Sequence, residues 1–217
     1  ITLALAQNDA RRVKTTPPVK SKLFIEHADA LGIQYAEPDG NLLDFKRDRM
    51  MLNSISTSGP KLVRGDINND GLEDIFIAGF KGAQNRLFKQ TREGRFTPMP
   101  PRALPESKGF NDKDAVFFDA DGDGDQDLYV VSGGNEYQET APELQDRLYF
   151  NDGRGNFQYR ADALPAMLTS GSSVTSGDFN HDGLTDLFVG GRSIPGKYPL
   201  APRSYLLKNS GQGKFED

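Results

Sequence analysis

The chain has 217 residues, 36% of them hydrophobic and 14 of them phenylalanine, so it is long enough to bury a core. No apolar run is long enough to span a bilayer, and the formal charge of −5 without a basic stripe excludes a typical nucleic-acid surface. The absence of cysteine excludes disulfides and thiolate chemistry.

Residues 1–21 are predicted to be the end of a preceding segment followed by a linker. Ala4-Leu5-Ala6 resembles a signal-cleavage site, but no basic region precedes it, which favours a strand that ends a preceding domain. Thr15-Thr16-Pro17-Pro18 is typical of an extended linker.

Residues 22–60 are predicted to form a lead-in with a partial copy of the repeat that follows. Phe24 resembles the phenylalanines of the later hairpins. Helical periodicity is almost absent from the whole chain, apart from a short candidate helix near residues 25–31 or 44–52.

Three later segments share one pattern, in residues 66–74, 119–127 and 178–186. Each has acidic or amide residues at positions 1, 3 and 5, glycine at position 6 and aspartate at position 9, and an aliphatic strand follows. Carboxylates this close repel one another unless a cation lies between them. Solvated Asp/Gly turns are the alternative for any single copy, but three copies in the same order favour a metal site.

Each loop is predicted to bind one Ca²⁺, which takes six to eight oxygen ligands at about 2.3–2.6 Å. Positions 1, 3, 5 and 9 would offer side-chain oxygens, position 7 its backbone carbonyl, and the glycine at position 6 the sharp turn. An EF-hand fits less well because the position of its last glutamate is aliphatic in all three copies. The predicted ligands are Asp66, Asn68, Asp70, Leu72, Asp74, Asp119, Asp121, Asp123, Asp125, Asp127, Asp178, Asn180, Asp182, Leu184 and Asp186.

The repeat continues beyond the loops. The first loop aspartates, Asp66, Asp119 and Asp178, are 53 and then 59 positions apart. In every copy a second hairpin runs from a leucine to a phenylalanine nine positions later, as from Leu148 to Phe157. Each unit therefore contains four short strands, A to D, with the aspartate loop between A and B and a glycine turn between C and D.

Four strands in a unit of roughly 50 residues are typical of a β-propeller blade. We therefore predict an all-β fold in which residues 22–217 form a partial propeller of four-stranded antiparallel blades. Its parts would be a partial blade in 22–60 and full blades in 61–108, 109–165 and 166–217. Because propellers usually have four to eight blades, the chain is expected to be an arc of a larger one, with about seven.

The loops and the Asn-x-Gly-x-Gly-x-Phe hairpins resemble the FG-GAP/VCBS repeats of integrin α-subunit propellers and of many bacterial surface proteins. Asp44-Phe45-Lys46-Arg47, Ser132-Gly133-Gly134-Asn135-Glu136 and Gly190-Gly191-Arg192 are similar to segments of the VCBS-repeat proteins that carry ASPIC/UnbV domains, common in Bacteroidetes. The resemblance covers residues 22–217 and implies a calcium-bearing propeller on an exported protein.

No catalytic residue is predicted, since the sequence has no nucleophile elbow, Walker loop or zinc pair. Of the two histidines, His27 and His181, the second occupies loop position 4, which points away from the ion. Calcium sites of the extracellular type fill only where calcium is plentiful, so the protein is expected to be exported, at the cell surface, outer membrane or periplasm. Three Ca²⁺ would change the formal charge from −5 to about +1.

Two function classes follow. The first is a non-enzymatic interaction or scaffolding module, for example in an outer-membrane complex. The second is a polysaccharide-active, lyase-like enzyme, which needs a base and charge-neutralising groups in a cleft. The side chains that could supply them are Tyr137, Arg147, Arg192, Lys197 and Tyr198.

In an antiparallel meander, successive connections alternate between two faces. The aspartate loops and C–D turns should therefore share one face, and the B–C connections, in residues 79–85, 133–146 and 191–203, should lie on the other. These connections vary most between copies, and variable loops on a constant scaffold are where binding residues tend to lie. The B–C face is expected to contact a protein or glycan partner.

Overall fold

The computed structural model describes residues 26–35, 44–55 and 59–217. Two short helices, α1 (Ala28–Leu31) and α2 (Asp44–Arg47), precede all of the strands. The predicted segment 1–21 and Phe24 lie outside the described residues. In the described parts of 22–60 the structure contains these two helices and no strand.

Twelve strands follow in the described chain, with short 3₁₀ helices at Pro101–Ala103 and Pro142–Leu144. They are β1 (Leu62–Gly65), β2 (Asp74–Ile77), β3 (Arg86–Gln90), β4 (Phe96–Pro98), β5 (Asp112–Phe118), β6 (Asp127–Ser132), β7 (Arg147–Asn151), β8 (Phe157–Tyr159), β9 (Ser170–Gly177), β10 (Asp186–Ser193), β11 (Tyr205–Asn209) and β12 (Phe215–Glu216).

The strands form three sheets of four, each in simple sequential order and antiparallel throughout. We call them blade 1 (β1–β4), blade 2 (β5–β8) and blade 3 (β9–β12). The predicted all-β architecture of four-stranded blades, arranged as an arc of a propeller, is confirmed.

The core lies between the blades. One apolar cluster joins blade 1 to blade 2 and contains Phe76, Leu128 and Tyr149, and the other joins blade 2 to blade 3. Strand β6 contributes to both clusters and is buried along its whole length. A strand covered on both faces needs apolar side chains in both directions, which is why Leu128 to Val131 is continuously hydrophobic.

Equivalent positions in the three repeats show which face of each blade meets the next blade. Phe76 in blade 1 and Tyr129 in blade 2 are completely buried against the following blade, whereas Phe188 in blade 3 is 48% exposed. Leu87, Leu148 and Leu206 show the same trend. The outer face of blade 3 therefore has the composition of an interblade interface but is not covered by described residues.

Helix α2 is tied to the B–C side of the arc. The Arg47 guanidinium donates to the carbonyls of Asn135, at 2.7 Å, and Tyr137, at 2.5 Å. The buried Asp48 carboxylate accepts from the Asn135 side chain at 2.8 Å and from the Tyr198 amide at 3.2 Å. This part of the lead-in thus joins the connections of blades 2 and 3.

Among the described residues, no helix has the length and apolar character needed to cross a membrane.

Candidate metal centres and the opposite loop face

The three aspartate loops share one backbone conformation. The aspartate at position 1 accepts backbone amides from across the loop, as when Asp66 accepts from Asp70 at 3.1 Å and from Gly71 at 2.8 Å. Position 4 has positive φ in every copy, although only the second copy has glycine there (Asn69 56°, Gly122 86°, His181 60°). The glycines at position 6 have φ between 82° and 90°. Each loop therefore wraps around the carboxylate at its position 1, and His181 is exposed.

The aspartate at position 9 is the buried anchor of each loop. Asp127 is fully buried and accepts the Ala120 amide at 2.9 Å and the Asn151 amide at 2.8 Å. Asp74 and Asp186 make the same pair of bonds in blades 1 and 3. The sequence predicted this aspartate as an ion ligand, and the structure also places it as the link between the loop and the end of strand C.

Two asparagines at the ends of strands C connect neighbouring blades. The Asn151 side chain donates to the Ile67 carbonyl of blade 1, and the Asn209 side chain donates to the Ala120 carbonyl of blade 2, both at 2.8 Å. Sequence reasoning treated these asparagines only as part of the hairpin pattern. Their recurrence at the end of strand C in blades 2 and 3 was the available signal.

The second loop brings its carboxylates closest together. Ligand atoms of Asp119, Asp121 and Asp127 all lie within 4.8 Å of one another, the one such group of three acidic, histidine or cysteine side chains found in the described chain. Burial raises the pKa of Asp127 to about 7, with Asp121 and Asp123 adding repulsion. The pKa of Asp121 is raised as well, first by burial and then by Asp123. Oxygen ligands with uncompensated negative charge fit a hard cation such as Ca²⁺.

The first and third loops differ because a lysine of strand C lies beside each. Lys89 Nζ is 3.0 Å from an Asp70 carboxylate oxygen, and Lys208 Nζ is 3.6 Å from one of Asp182. The lysine holds the pKa of Asp70 below its usual range, while the pKa of Asp182 is lowered first by the Leu184 amide and also by its lysine. In blade 2 the equivalent position is Phe150. The predicted ligands of loops 1 and 3 thus already have a cationic neighbour.

The predicted backbone-carbonyl ligands occupy equivalent places. The amides of Leu72, Asp125 and Leu184 each donate to the aspartate at position 5, at 3.0, 2.8 and 3.0 Å. The Asp125 side chain instead accepts from Asn69 of the first loop at 2.6 Å. Its carboxylate therefore contacts the neighbouring blade, so within its own loop the carbonyl is the group it can offer.

On the opposite face, one side chain per blade accepts a backbone amide at or near the end of strand B. Asn85 accepts the Gly79 amide at 2.6 Å, Asp146 accepts the Ser132 amide at 2.8 Å, and Ser204 accepts the Gly191 amide at 3.1 Å. Because three different residue types accept this amide, comparison of the three sequence copies did not reveal that their position is equivalent.

Blade 2 buries three charged groups at this end. Arg147 is paired with Asp112 and lies 3.8 Å from the Phe110 ring, and Asp146 accepts the Tyr129 hydroxyl at 2.7 Å. Burial raises the pKa of Asp146 to about 7 and also raises that of Asp112. One guanidinium balances only one of two buried carboxylates, which favours a proton on the second. Arg147, a candidate enzyme group in the sequence, is thus part of this buried network.

We expect Asp146→Asn to flatten the pH dependence of stability. The unfolded chain releases the Asp146 proton near its ordinary pKa of 3.8, whereas the folded chain retains it up to about 7. The free energy of unfolding therefore falls as the pH rises through this window, by at most about 4 kcal/mol from this group. The variant lacks this titration, and blade 1 already accommodates Asn85 at the equivalent position.

The measurement is urea unfolding at pH 5 and pH 8 at one fixed calcium concentration. Glu106→Gln, which removes an exposed carboxylate, is the matched control. Its free energy of unfolding should differ between pH 5 and pH 8 by as much as that of the parent. If the free energy of unfolding changes equally between pH 5 and pH 8 in Asp146→Asn and in the parent, Asp146 is ionised throughout this pH range.

The blades, the repeated loops and the sequential antiparallel sheets define a β-propeller repeat protein. The family described as FG-GAP-like repeat matches residues 66–130 and 119–189, which together make up more than half of the chain. The chain belongs to this family.

No curated protein matches the chain in sequence. Among solved structures, it is similar to an Agrocybe aegerita lectin described by its specific recognition of non-reducing terminal N-acetylglucosamine. The sequence identity is 19% and the TM-score 0.43, over 72% of this chain. The chain spans 37% of the length of that lectin chain.

Proposed function

We propose that the chain is a calcium-stabilised interaction module of an exported protein, which binds a protein or glycan partner through its B–C face. The observation that carries this proposal is the difference between the two faces. On the loop face, every blade repeats the same buried aspartate anchor, and Asn151 and Asn209 join the blades. A face built in this regular way is suited to holding the arc together.

The B–C face differs from blade to blade in length and composition, which is typical of binding loops on a constant scaffold. Its accessible side chains include Arg192 and Tyr198, both exposed. Tyr137 is only 5% exposed and donates to the Gly109 carbonyl, and Glu136 accepts from Asn111. Replacing Tyr137 or Glu136 would therefore disturb folding, so Arg192 and Tyr198 are the informative positions.

The proposal extends to the setting of the protein. It places Ca²⁺ in all three loops, with residues 22–217 as part of a larger propeller at the cell surface, outer membrane or periplasm. It also includes a relationship to the VCBS-repeat proteins that carry ASPIC/UnbV domains. The support is the family membership together with the carboxylate group of the second loop. No catalytic role is assigned to any residue.

The test is binding of the intact protein, in calcium, to a glycan array and to purified surface proteins of the cells that make it. The double variant Arg192→Ala/Tyr198→Ala should lower the affinity for the captured partner at least tenfold, because a few exposed aromatic and arginine side chains usually carry most of the binding energy. Its calcium content and melting temperature should match those of the parent. Arg154→Ala, an exposed arginine of the C–D turn on the other face, is the control and should bind normally.

Two results would contradict the proposal. One is unchanged capture by the double variant together with loss of capture by folded variants of the loop face. The other is turnover of a polysaccharide that depends on Arg192 or Tyr198, which would favour the enzyme alternative.

A further inference from the structure

A polar pocket of about 330 Å³ opens where the first strands of the three blades begin. Its wall includes Lys61 just before β1, Lys113 in β5 and Ser170 to Ser172 in β9, and Arg192 of β10 closes one side. The first strands of neighbouring blades contact each other, so the pocket lies where the blades converge. Its volume is in the range of small-molecule sites.

The charges lining this pocket have one sign. Lys61, Lys113 and Arg192 contribute three cations, and no acidic residue is among the described lining. Three acidic side chains lie behind the wall and are engaged. Asp44 accepts hydrogen bonds from the lining residues Ser54, at 2.6 Å, and Ile55, at 3.0 Å. Asp114 pairs with Lys61 at 3.4 Å and accepts the Val174 amide, and Glu136 accepts from Asn111 at 2.5 Å.

Two groups in the wall have unused hydrogen-bonding capacity. Arg192 is exposed, and its side chain makes no hydrogen bond or ion pair to any described residue. Ser170 is 1% exposed, and its hydroxyl has no hydrogen-bond partner among the described residues. A buried hydroxyl without a partner costs free energy unless a ligand or water satisfies it.

We infer that this pocket binds an acidic sugar residue, one that bears a carboxylate or sulfate group, within an anionic polysaccharide. The inference rests on the proposed binding role of the B–C face and specifies its ligand. The anionic group would lie against Arg192 and Lys113, since a guanidinium can donate two parallel hydrogen bonds to two oxygens of a carboxylate or sulfate group. The ring hydroxyls would meet the serine and glycine wall. The side chain of an acidic peptide would occupy only part of the pocket.

The experiment is calorimetry of the intact protein with defined oligosaccharides at fixed calcium. The probes are an oligogalacturonate, its neutral methyl ester and a sulfated oligosaccharide of the same length, with an Asp/Glu-rich peptide as the protein alternative. We expect an acidic oligosaccharide to bind, its ester to bind at least tenfold more weakly, and the affinity to fall as salt is raised. The better of the two acidic probes identifies the anionic group.

The variants Arg192→Gln and Lys113→Gln should each weaken this binding about tenfold, the expected effect of losing one charge-assisted hydrogen bond. Arg154→Gln removes one positive charge from the other face and should leave the affinity within twofold. Equal binding of acid and ester, equal affinity in Arg192→Gln and the parent, or binding of the peptide alone would overturn the inference. If the glycan array or the surface proteins still show capture that depends on Arg192 and Tyr198, the proposed function stands and only the acidic-sugar ligand is wrong. If no partner is captured at all, both the proposed function and this inference are contradicted.

Discussion

Replacing Tyr129 by alanine is expected to lower the free energy of unfolding by about 4 kcal/mol, and the same change at Phe188 by less than about 1 kcal/mol. The two residues occupy the same position in consecutive repeats, on the second strand of their blades. Tyr129 is completely buried between blades 2 and 3, whereas Phe188 is 48% exposed.

The two expected losses of stability differ because the two rings have different surroundings. Truncating Tyr129 removes a large ring from a close-packed interface and leaves a cavity, in addition to breaking its hydrogen bond to the buried Asp146. Truncating Phe188 removes a ring that is already half in water. The difference between the two variants therefore measures the interblade contact of Tyr129 together with its hydrogen bond to Asp146.

The measurement is urea unfolding of both variants at one calcium concentration. The same two variants also test whether the chain is an arc of a larger propeller. In a longer chain that places a further blade on blade 3, Phe188→Ala should become about as costly as Tyr129→Ala, because the ring would then be buried. Equal costs for the two changes in residues 1–217 alone would mean that the outer face of blade 3 is covered in solution.

The repeat architecture was predictable because its signals are local. Aspartate and glycine at fixed spacings specify the loop conformation, and the apolar segments that follow specify strands, so the strand order within each blade followed from the sequence. The spacing of aspartates in the second loop also predicted that Asp119, Asp121 and Asp127 are ligands of one ion. The structure brings their carboxylates together.

The contacts between distant segments were not predictable from the same signals. Asn151 and Asn209 bond carbonyls 84 and 89 positions away, and Arg47 bonds the Asn135 carbonyl 88 positions away. No local pattern reports such pairs. The burial of Tyr137 was missed for the same reason, since its hydroxyl partner, the Gly109 carbonyl, lies outside its own connection.

Calcium removal is expected to lower the melting temperature, with the second loop, residues 119–127, releasing its ion last. At free calcium tenfold above Kd, each occupied site adds about 1.4 kcal/mol to the stability of the folded state, or about 4 kcal/mol for three independent sites. The second loop should bind most tightly because its position 3 is Asp121, where the other loops have Asn68 and Asn180. It also lacks the strand-C lysine that neutralises Asp70 and Asp182.

Calorimetric titration of calcium into chelator-treated protein should therefore show one tighter event and two weaker ones. Asp121→Asn gives the second loop the position-3 residue of the others and should weaken the tight event about tenfold, by removing one carboxylate from the ligand set. Asp152→Asn is the control, because it removes an exposed carboxylate of the C–D turn on the same face but outside the loops, and it should leave the titration unchanged.

The pKa of Asp127 near 7 gives the same titration a pH dependence. A proton on this carboxyl competes with the ion, so lowering the pH from 8 to 6 should weaken the tight event by about tenfold and release a proton on binding at the lower pH. The raised pKa comes first from the burial of Asp127 and then from repulsion by Asp121 and Asp123. Three events of equal affinity would contradict the tighter binding of calcium by the second loop. A melting temperature unchanged by chelator, in protein that contains no metal, would contradict calcium binding in these loops.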